Sequence, residues 1–268
     1  MRQQLWVWGL SFLVFCIATV GIARSPGFNQ LQPIEEITGL PLMEQPAEAS
    51  LRPTKTAAAS QDFQIVPAPA IAQSTPGYQP REEMALADPT NYGDRYATDA
   101  YGRSLYNDFI IVIHETVGSA RSAINLFQTP HPRDEDQVSY HTLIDRDGTV
   151  VYIVPPEKRA FGAGDSVFDG PNGSETVLTN PDFPSSVNNF AYHVSLETPE
   201  DGRGNGRTHS GYTQSQYESL AWLVARSDIP DGRITTHRIV DRSGNRIDPR
   251  SFDFQRFLSL LHRYPSRS

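Results

Sequence analysis

Residues 110–113 read Ile-Ile-Val-Ile, four branched aliphatic side chains in a row, and they sit between Phe109 and His114. A strand with apolar residues on both of its faces belongs inside a sheet covered on both sides, as in α/β proteins. His114 and Glu115 follow at the carboxyl end of this run. In α/β sheets, reactive and ligand-binding groups collect at that end because the backbone opens into a crevice there. His114 is therefore a candidate for metal binding or acid/base chemistry. The competing reading is a hydrogen-bonded histidine packed beside a core strand.

Charge and cysteine content narrow the chemistry. The 268-residue chain carries a net charge of −8 with a pI near 5.3, which argues against a nucleic-acid binder that tracks phosphates. Its single cysteine, Cys16, lies in an apolar N-terminal run, so the folded part has no disulfide framework and no thiolate metal cluster. Any metal there must be held by His, Asp or Glu.

The chain divides by texture into three parts. Residues 1–24 open with Arg2, continue through an apolar run over 5–22, and end in small residues at 21–23. This is the order of a secretion signal, and the run is also nearly long enough for a membrane anchor. Both readings export the remainder to the periplasm or cell envelope, with membrane attachment through residues 5–22 if the segment is kept. Residues 25–98, rich in Pro, Ala, Gln, Ser and Thr, have the composition of a solvated tether. Residues 99–268 then form the folded domain, large enough to bury its own core and expected to be monomeric.

Within that domain, Ser119 can cap a helix whose Ala120, Ala123, Ile124 and Phe127 share a face. Residues 140–144 and 150–154, joined by the turn Asp145-Arg146-Asp147-Gly148, read as a hairpin. Residues 162–189, with many Gly, Pro, Asn and Ser, read as a long surface loop. Residues 190–197 alternate: Phe190, Tyr192, Val194 and Leu196 on one side, Ala191, His193, Ser195 and Glu197 on the other. Thr213 and Gln216 form a capping box ahead of a helix striped by Tyr217, Leu220, Ala221 and Val224. Residues 234–237 read as a short strand ending in His237. A last helix carries Phe254, Phe257, Leu258 and Leu261 on one face. His141, opposite in direction to Tyr140, is expected to bond within the core, while His131 and His209 sit in polar loops and are expected to be solvated. Glu115 is expected to orient the site or bond backbone.

Two imidazoles at strand ends, His114 and His237, are followed by the carboxylate of Asp248. Two histidines and one carboxylate with an open fourth position make up many hydrolytic zinc sites. The wide spacing of these residues leaves the packing reading open.

The blocks IVIHET, VSYHTLIDRDGTVVYIV with KRAFGAG, NNFAYHVSLE and TTHRIVDRSGNRIDP occur in the order found in zinc-dependent N-acetylmuramoyl-L-alanine amidases, and residues 105–262 resemble that family. The resemblance implies an α/β domain with a central mixed sheet flanked by helices, and a groove for a muropeptide. It implies Zn2+ held by His114, His237 and Asp248, with Tyr140 beside the metal and Arg246 where several members carry a catalytic lysine. It implies hydrolysis of the amide between N-acetylmuramic acid and L-alanine in peptidoglycan. Ser195 stands where some bacterial members place a catalytic glutamate, and Glu197, on the same strand face, is the substitute within reach. His193 stands where a glycine is usual, and Gly162 where many members carry histidine. His193 can either line the groove or pack. The alternative function is a non-catalytic peptidoglycan-binding domain, since the family includes members that keep the groove and lose the metal.

Overall fold

A computed structural model describes residues 78–267. The signal or anchor expected over 1–24 lies outside the described residues, as does most of the expected tether. In chain order the strands and helices are β1 (Glu82–Met84), β2 (Tyr92–Asp94), β3 (Ile110–Glu115), α1 (Ala120–Gln128), β4 (Thr142–Ile144), β5 (Val150–Tyr152), β6 (Lys158–Ala160), β7 (Phe168–Gly170), β8 (Gly173–Glu175), β9 (Ala191–Leu196), α2 (Gln214–Ala225), β10 (Ile234–Thr236), α3 (His237–Val240) and α4 (Phe254–Leu261). Six strands form the main sheet in the order β1-β5-β4-β9-β3-β10. Only β4 and β5 pair antiparallel; the other neighbours run parallel, so the sheet is mixed.

The Ile-Ile-Val-Ile run is β3, second from one edge and buried along its whole length. Its side chains alternate between two cores, as the two-residue period of a strand requires. Ile111 and Ile113 pack with Tyr192, Val194 and Leu196 of β9 against α2 and α4. Ile110 and Val112 point the other way, to Phe168, Val177, Val187 and Val240. His114 and Glu115 continue this alternation and end up on opposite faces of the sheet.

The Thr213/Gln216 capping box is present. The helix behind it is buried beyond its predicted stripe, at Trp222, Leu223 and Ala225 as well, because Phe257, Leu260 and Leu261 of α4 join the same core. Ser119 caps α1 by accepting from the backbone N–H of Ser122. In the hairpin, Gly148 sits at φ +94° and a Cβ there would lie 2.8 Å from Ser215 Cβ. That turn needs glycine for both conformation and space.

Two expectations change. The tether does not run to residue 98. β1 extends the main sheet beside β5, β2 pairs with β6, and half-buried Arg95 donates to the carbonyls of Pro156, Asn189 and Ala191 at 2.9–3.3 Å. These strands are three residues long and polar, so no apolar period announces them. Residues 162–189 are also more than a surface loop: β7 and β8 form a hairpin, and Phe168, Val177 and Val187 cover one face of β3. Their apolar residues lie too far apart in sequence to read as a pattern. No helix among the described residues is long and apolar enough to cross a membrane.

Candidate metal centre

Strand pairing brings the site together. β10 runs parallel to β3 with Thr236 beside Ile113, so His237, the next residue, emerges next to His114. Their rings lie 4.6 Å apart. The returning segment is pinned by the bond from Arg238 N–H to the Asp248 carbonyl at 2.9 Å, which sets the Asp248 side chain between the two histidines. His237 Nδ1 is 3.0 Å from Asp248 Oδ1, and His114 Nδ1 is 3.5 Å from Asp248 Oδ2. One ligand atom from each of His114, His237 and Asp248 falls within 4.8 Å of the others, and all three residues are buried.

The donor set suits a zinc ion. His114 Nδ1 is a buried nitrogen with no hydrogen-bond partner among the described residues, and it faces a carboxylate. Burial, helped by the neighbouring His237, pulls the His114 pKa down to about 4, so its lone pair is available at neutral pH. Burial alone would raise the Asp248 carboxyl, but the adjoining imidazoles hold it well below the usual carboxylate range. Two imidazoles and one anionic oxygen are the ligands such a cation takes.

Tyr140 precedes β4 rather than opening it, and its ring stacks on His114 with centroids 4.5 Å apart. Phe127 of α1 meets that ring edge-on at 5.3 Å and fixes it in place. Burial pushes the Tyr140 phenol well above its ordinary range, and the Asp248 charge adds to the effect, so it remains a hydrogen-bond donor. Arg246 is exposed, and its guanidinium makes no ion pair with a described residue. It lines a cavity of about 300 Å³ with Arg207, Thr208, Arg238, Ile247, Arg250 and Ser251. Glu197 is not brought to the metal ligands. Its carboxylate accepts from Arg146 N–H at 3.0 Å and pairs with Arg203 at 3.3 Å, which makes it an anchor for the loop after β9.

Glu115 lies on the far face of β3 and is the hub of a buried network. It accepts from Arg250 Nε at 2.5 Å, and from Tyr212 Oη and His209 Nε2 at 3.0 Å each. Arg250 also donates to the carbonyls of Gly202, Gly204 and Gly206. The segment from Asp248 to Arg250 therefore straddles the end of β3, with one side chain meeting His114 and the other Glu115. His209 is buried in this network rather than solvated, and His131 bonds Asn91 Oδ1 at 2.9 Å. A polar loop gave no sign of either.

Two further residues reach His114 or its surroundings. His193 Nδ1 is 2.9 Å from His114 Nε2, and Ser195, opposite His114 in the strand register, is buried with its hydroxyl unpartnered among the described residues. The strand alternation places both on the site face; the contact itself depends on side-chain rotamers that the sequence does not show. His141 is the core hydrogen-bonder it was expected to be, accepting from His193 N–H at 3.0 Å and lying 3.1 Å from the Lys158 carbonyl.

A family model described as N-acetylmuramoyl-L-alanine amidase matches residues 109–251. The chain is 30 % identical over 129 residues to the 1,6-anhydro-N-acetylmuramyl-L-alanine amidase AmpD of Citrobacter freundii, covering 47 % of this chain and 58 % of that protein. It is 33 % identical over 131 residues to AmpD of Escherichia coli K12, covering 47 % and 59 %. The match thus spans less than two thirds of these relatives' length. Among solved structures, a selenomethionine AmpD derivative aligns at 25 % identity and TM-score 0.46, over 68 % of this chain and 94 % of that one. Pseudomonas aeruginosa AmpDh3 in complex with an anhydromuramic pentapeptide aligns at 16 % identity and TM-score 0.43, over 71 % and 66 %.

Proposed function

The chain belongs to the N-acetylmuramoyl-L-alanine amidase family, and from that premise we propose that it is a zinc-dependent hydrolase of the amide joining N-acetylmuramic acid to L-alanine in peptidoglycan. The observation that carries this reading is the convergence of His114, His237 and Asp248, buried and within 4.8 Å of one another, on an unpartnered His114 nitrogen. These three residues would hold the ion. When bound, zinc supplies Lewis acidity and lowers the cost of ionising water near neutral pH.

The chain's own groups do the rest. Asp248, held anionic, offsets the charge of a bound cation. Tyr140, held protonated against His114, donates a hydrogen bond to the carbonyl oxygen as that oxygen gains charge. Arg246, a permanent cation at the rim, adds positive potential to the same space. The substrate is peptidoglycan or a muropeptide released from it, a substrate class supported by the names of the AmpD relatives. Retention of the three donors together with Tyr140 speaks for an enzyme over a metal-free binding domain. In this reading residues 1–24 export the protein or anchor it in the envelope, residues 25–77 tether it, and the folded domain works as a monomer.

The test uses purified peptidoglycan and the release of L-alanyl peptides, identified by mass. Chelator treatment and His114→Ala are each expected to abolish release, with zinc restoring the chelated wild type only. Full activity in His114→Ala would refute the metal mechanism. For Tyr140→Phe, kcat is expected to fall about 100- to 1,000-fold with zinc still bound; unchanged turnover would remove Tyr140 from the chemistry.

A further inference from the structure

We infer that His193 is a positioning residue for His114: its Nδ1 accepts the hydrogen carried on His114 Nε2, which leaves His114 Nδ1 as the free lone pair turned toward His237 and Asp248, while Gly162 provides the space that lets the His193 ring do so. The inference rests on the reading of His114 as a metal ligand and adds a residue to it.

Two placements of the hydrogens satisfy this contact, and only one of them leaves His114 a lone pair for a metal. His114 and His193 face each other through Nε2 and Nδ1 at 2.9 Å, and both are fully buried. One of the two nitrogens must donate. Were His193 the donor, the hydrogen of a neutral His114 would sit on Nδ1, the atom that a metal must share. With His114 as the donor, Nδ1 is left bare, 3.5 Å from Asp248 Oδ2, too far for a hydrogen bond of ordinary length. His193 then carries its own hydrogen on Nε2, a buried atom with no partner among the described residues. Below it, the His193 backbone N–H donates to His141 Nδ1 at 3.0 Å, so His141 carries its hydrogen on Nε2, 3.1 Å from the Lys158 carbonyl; Arg95 Nη2, 3.2 Å from that Nε2, directs its hydrogens to the Pro156 and Ala191 carbonyls at 3.0 Å instead. The ring that orients the ligand is thus seated on a second buried imidazole, nearly parallel to it at 11° with centroids 5.7 Å apart.

Gly162 explains why the ring stays put. A Cβ at this position would lie 2.6 Å from His193 Cγ and 2.7 Å from its Nδ1, closer than carbon atoms approach. The imidazole lies flat on the glycine, and any side chain there would push it off His114. Packing alone does not account for an imidazole at 193. An apolar ring could fill the same volume without leaving a buried nitrogen unpaired. Metal-bound histidines are held by a bond from the other ring nitrogen, most often to a carboxylate, a carbonyl or water; here a second histidine on the adjacent strand takes that place.

The test compares the full-length chain with its His193→Ala, His193→Asn and Gly162→Ala variants. Two quantities are read: the His114 tautomer in the zinc-free protein, from long-range proton–nitrogen spectra of ring-labelled histidine, and the zinc dissociation constant, by competition with a chromophoric chelator. Asparagine places Oδ1 where His193 has Nδ1 but lacks the rest of the ring, so it restores the acceptor without the packing. The wild type and His193→Asn are expected to show His114 protonated at Nε2 and to bind zinc comparably. His193→Ala and Gly162→Ala are expected to lose that single tautomer and to bind zinc about 10- to 100-fold more weakly. An unchanged tautomer and zinc affinity in His193→Ala would overturn the inference, and so would an asparagine variant as impaired as the alanine one. If His193→Ala does not fold, the other two variants decide. A wild type that binds no zinc overturns the metal reading beneath, whereas the tautomer of the zinc-free protein still tests the contact itself.

Discussion

At the scale of single residues, the ion pair between Glu115 and Arg250 is the contact with most at stake. Their side chains are 0 % and 3 % exposed, and Arg250 turns three of its remaining donors to glycine carbonyls of the 202–206 loop. Removing one partner from such a pair leaves a charge buried without its counterpart, at a cost of about 3–5 kcal/mol. Glu115→Gln is therefore expected to lower the urea-unfolding free energy by that amount. It should also weaken zinc binding, because Asp248 lies two residues from Arg250 on the same segment. A variant that keeps wild-type stability would show that the network is dispensable. The expectation that Glu115 orients the site came from its place after His114. Its partners were not legible, because Arg250, His209 and Tyr212 come from loops whose composition says only that they are polar. Glu197 shows the opposite error: strand alternation put it on the site face, yet Arg203 and the Arg146 amide claim it just beyond the end of β9.

At the scale of elements, local chemistry foretold most of what forms. The cap at Ser119, the box at Thr213 and the aliphatic run of β3 each carry their own signal within a few residues, and each forms. What failed to show were three-residue strands with polar sequences and a cover segment whose apolar anchors are scattered over residues 168–187. His141 ties such pieces together by joining the leading end of β4 to β9 and β6. Burial, with the nearby Arg95 charge, keeps its pKa well below the ordinary imidazole value. It is neutral when folded and takes up a proton when unfolded once the pH falls below about 6.5. The stability it supports is therefore present above that pH and lost as the pH falls through it, at up to about 1.4 kcal/mol per pH unit for one proton. Urea midpoints of the zinc-free protein at pH 8, 6 and 5 should fall accordingly, and His141→Asn should flatten part of that fall. A flat wild-type profile would contradict the burial of a neutral imidazole.

At the scale of the whole molecule, the folded unit begins before the span that the family match covers. β1 closes one edge of the main sheet, Tyr78 Oη meets Ser219 Oγ at 2.7 Å on α2, and Arg95 reaches under β9. A chain starting at residue 78 is expected to unfold cooperatively like the full-length protein. One starting at residue 99 is expected to be unfolded or molten by near-UV circular dichroism; if it matches the longer fragment, β1 and Arg95 are ornaments. Charge is also unevenly placed, since a chain of net −8 gathers Arg207, Arg238 and Arg246, beyond the Glu115-paired Arg250, around one cavity. Field lines from such a mouth draw in anionic ligands and fade with added salt. KM for peptidoglycan fragments should accordingly rise between low and physiological ionic strength while kcat changes little.

The way residues 248–250 straddle β3 has a bearing on how this protein should be assayed. Consecutive side chains of a strand point to opposite faces, so a slip of one position would hand the imidazole to Arg250 and the carboxylate to Asp248, two mismatches at once. Such a molecule would keep its backbone ladder and look native to far-ultraviolet spectroscopy, yet it would offer no place for the ion. On the proposed zinc reading, the zinc held by a preparation loaded to saturation would therefore count the chains threaded in the right register.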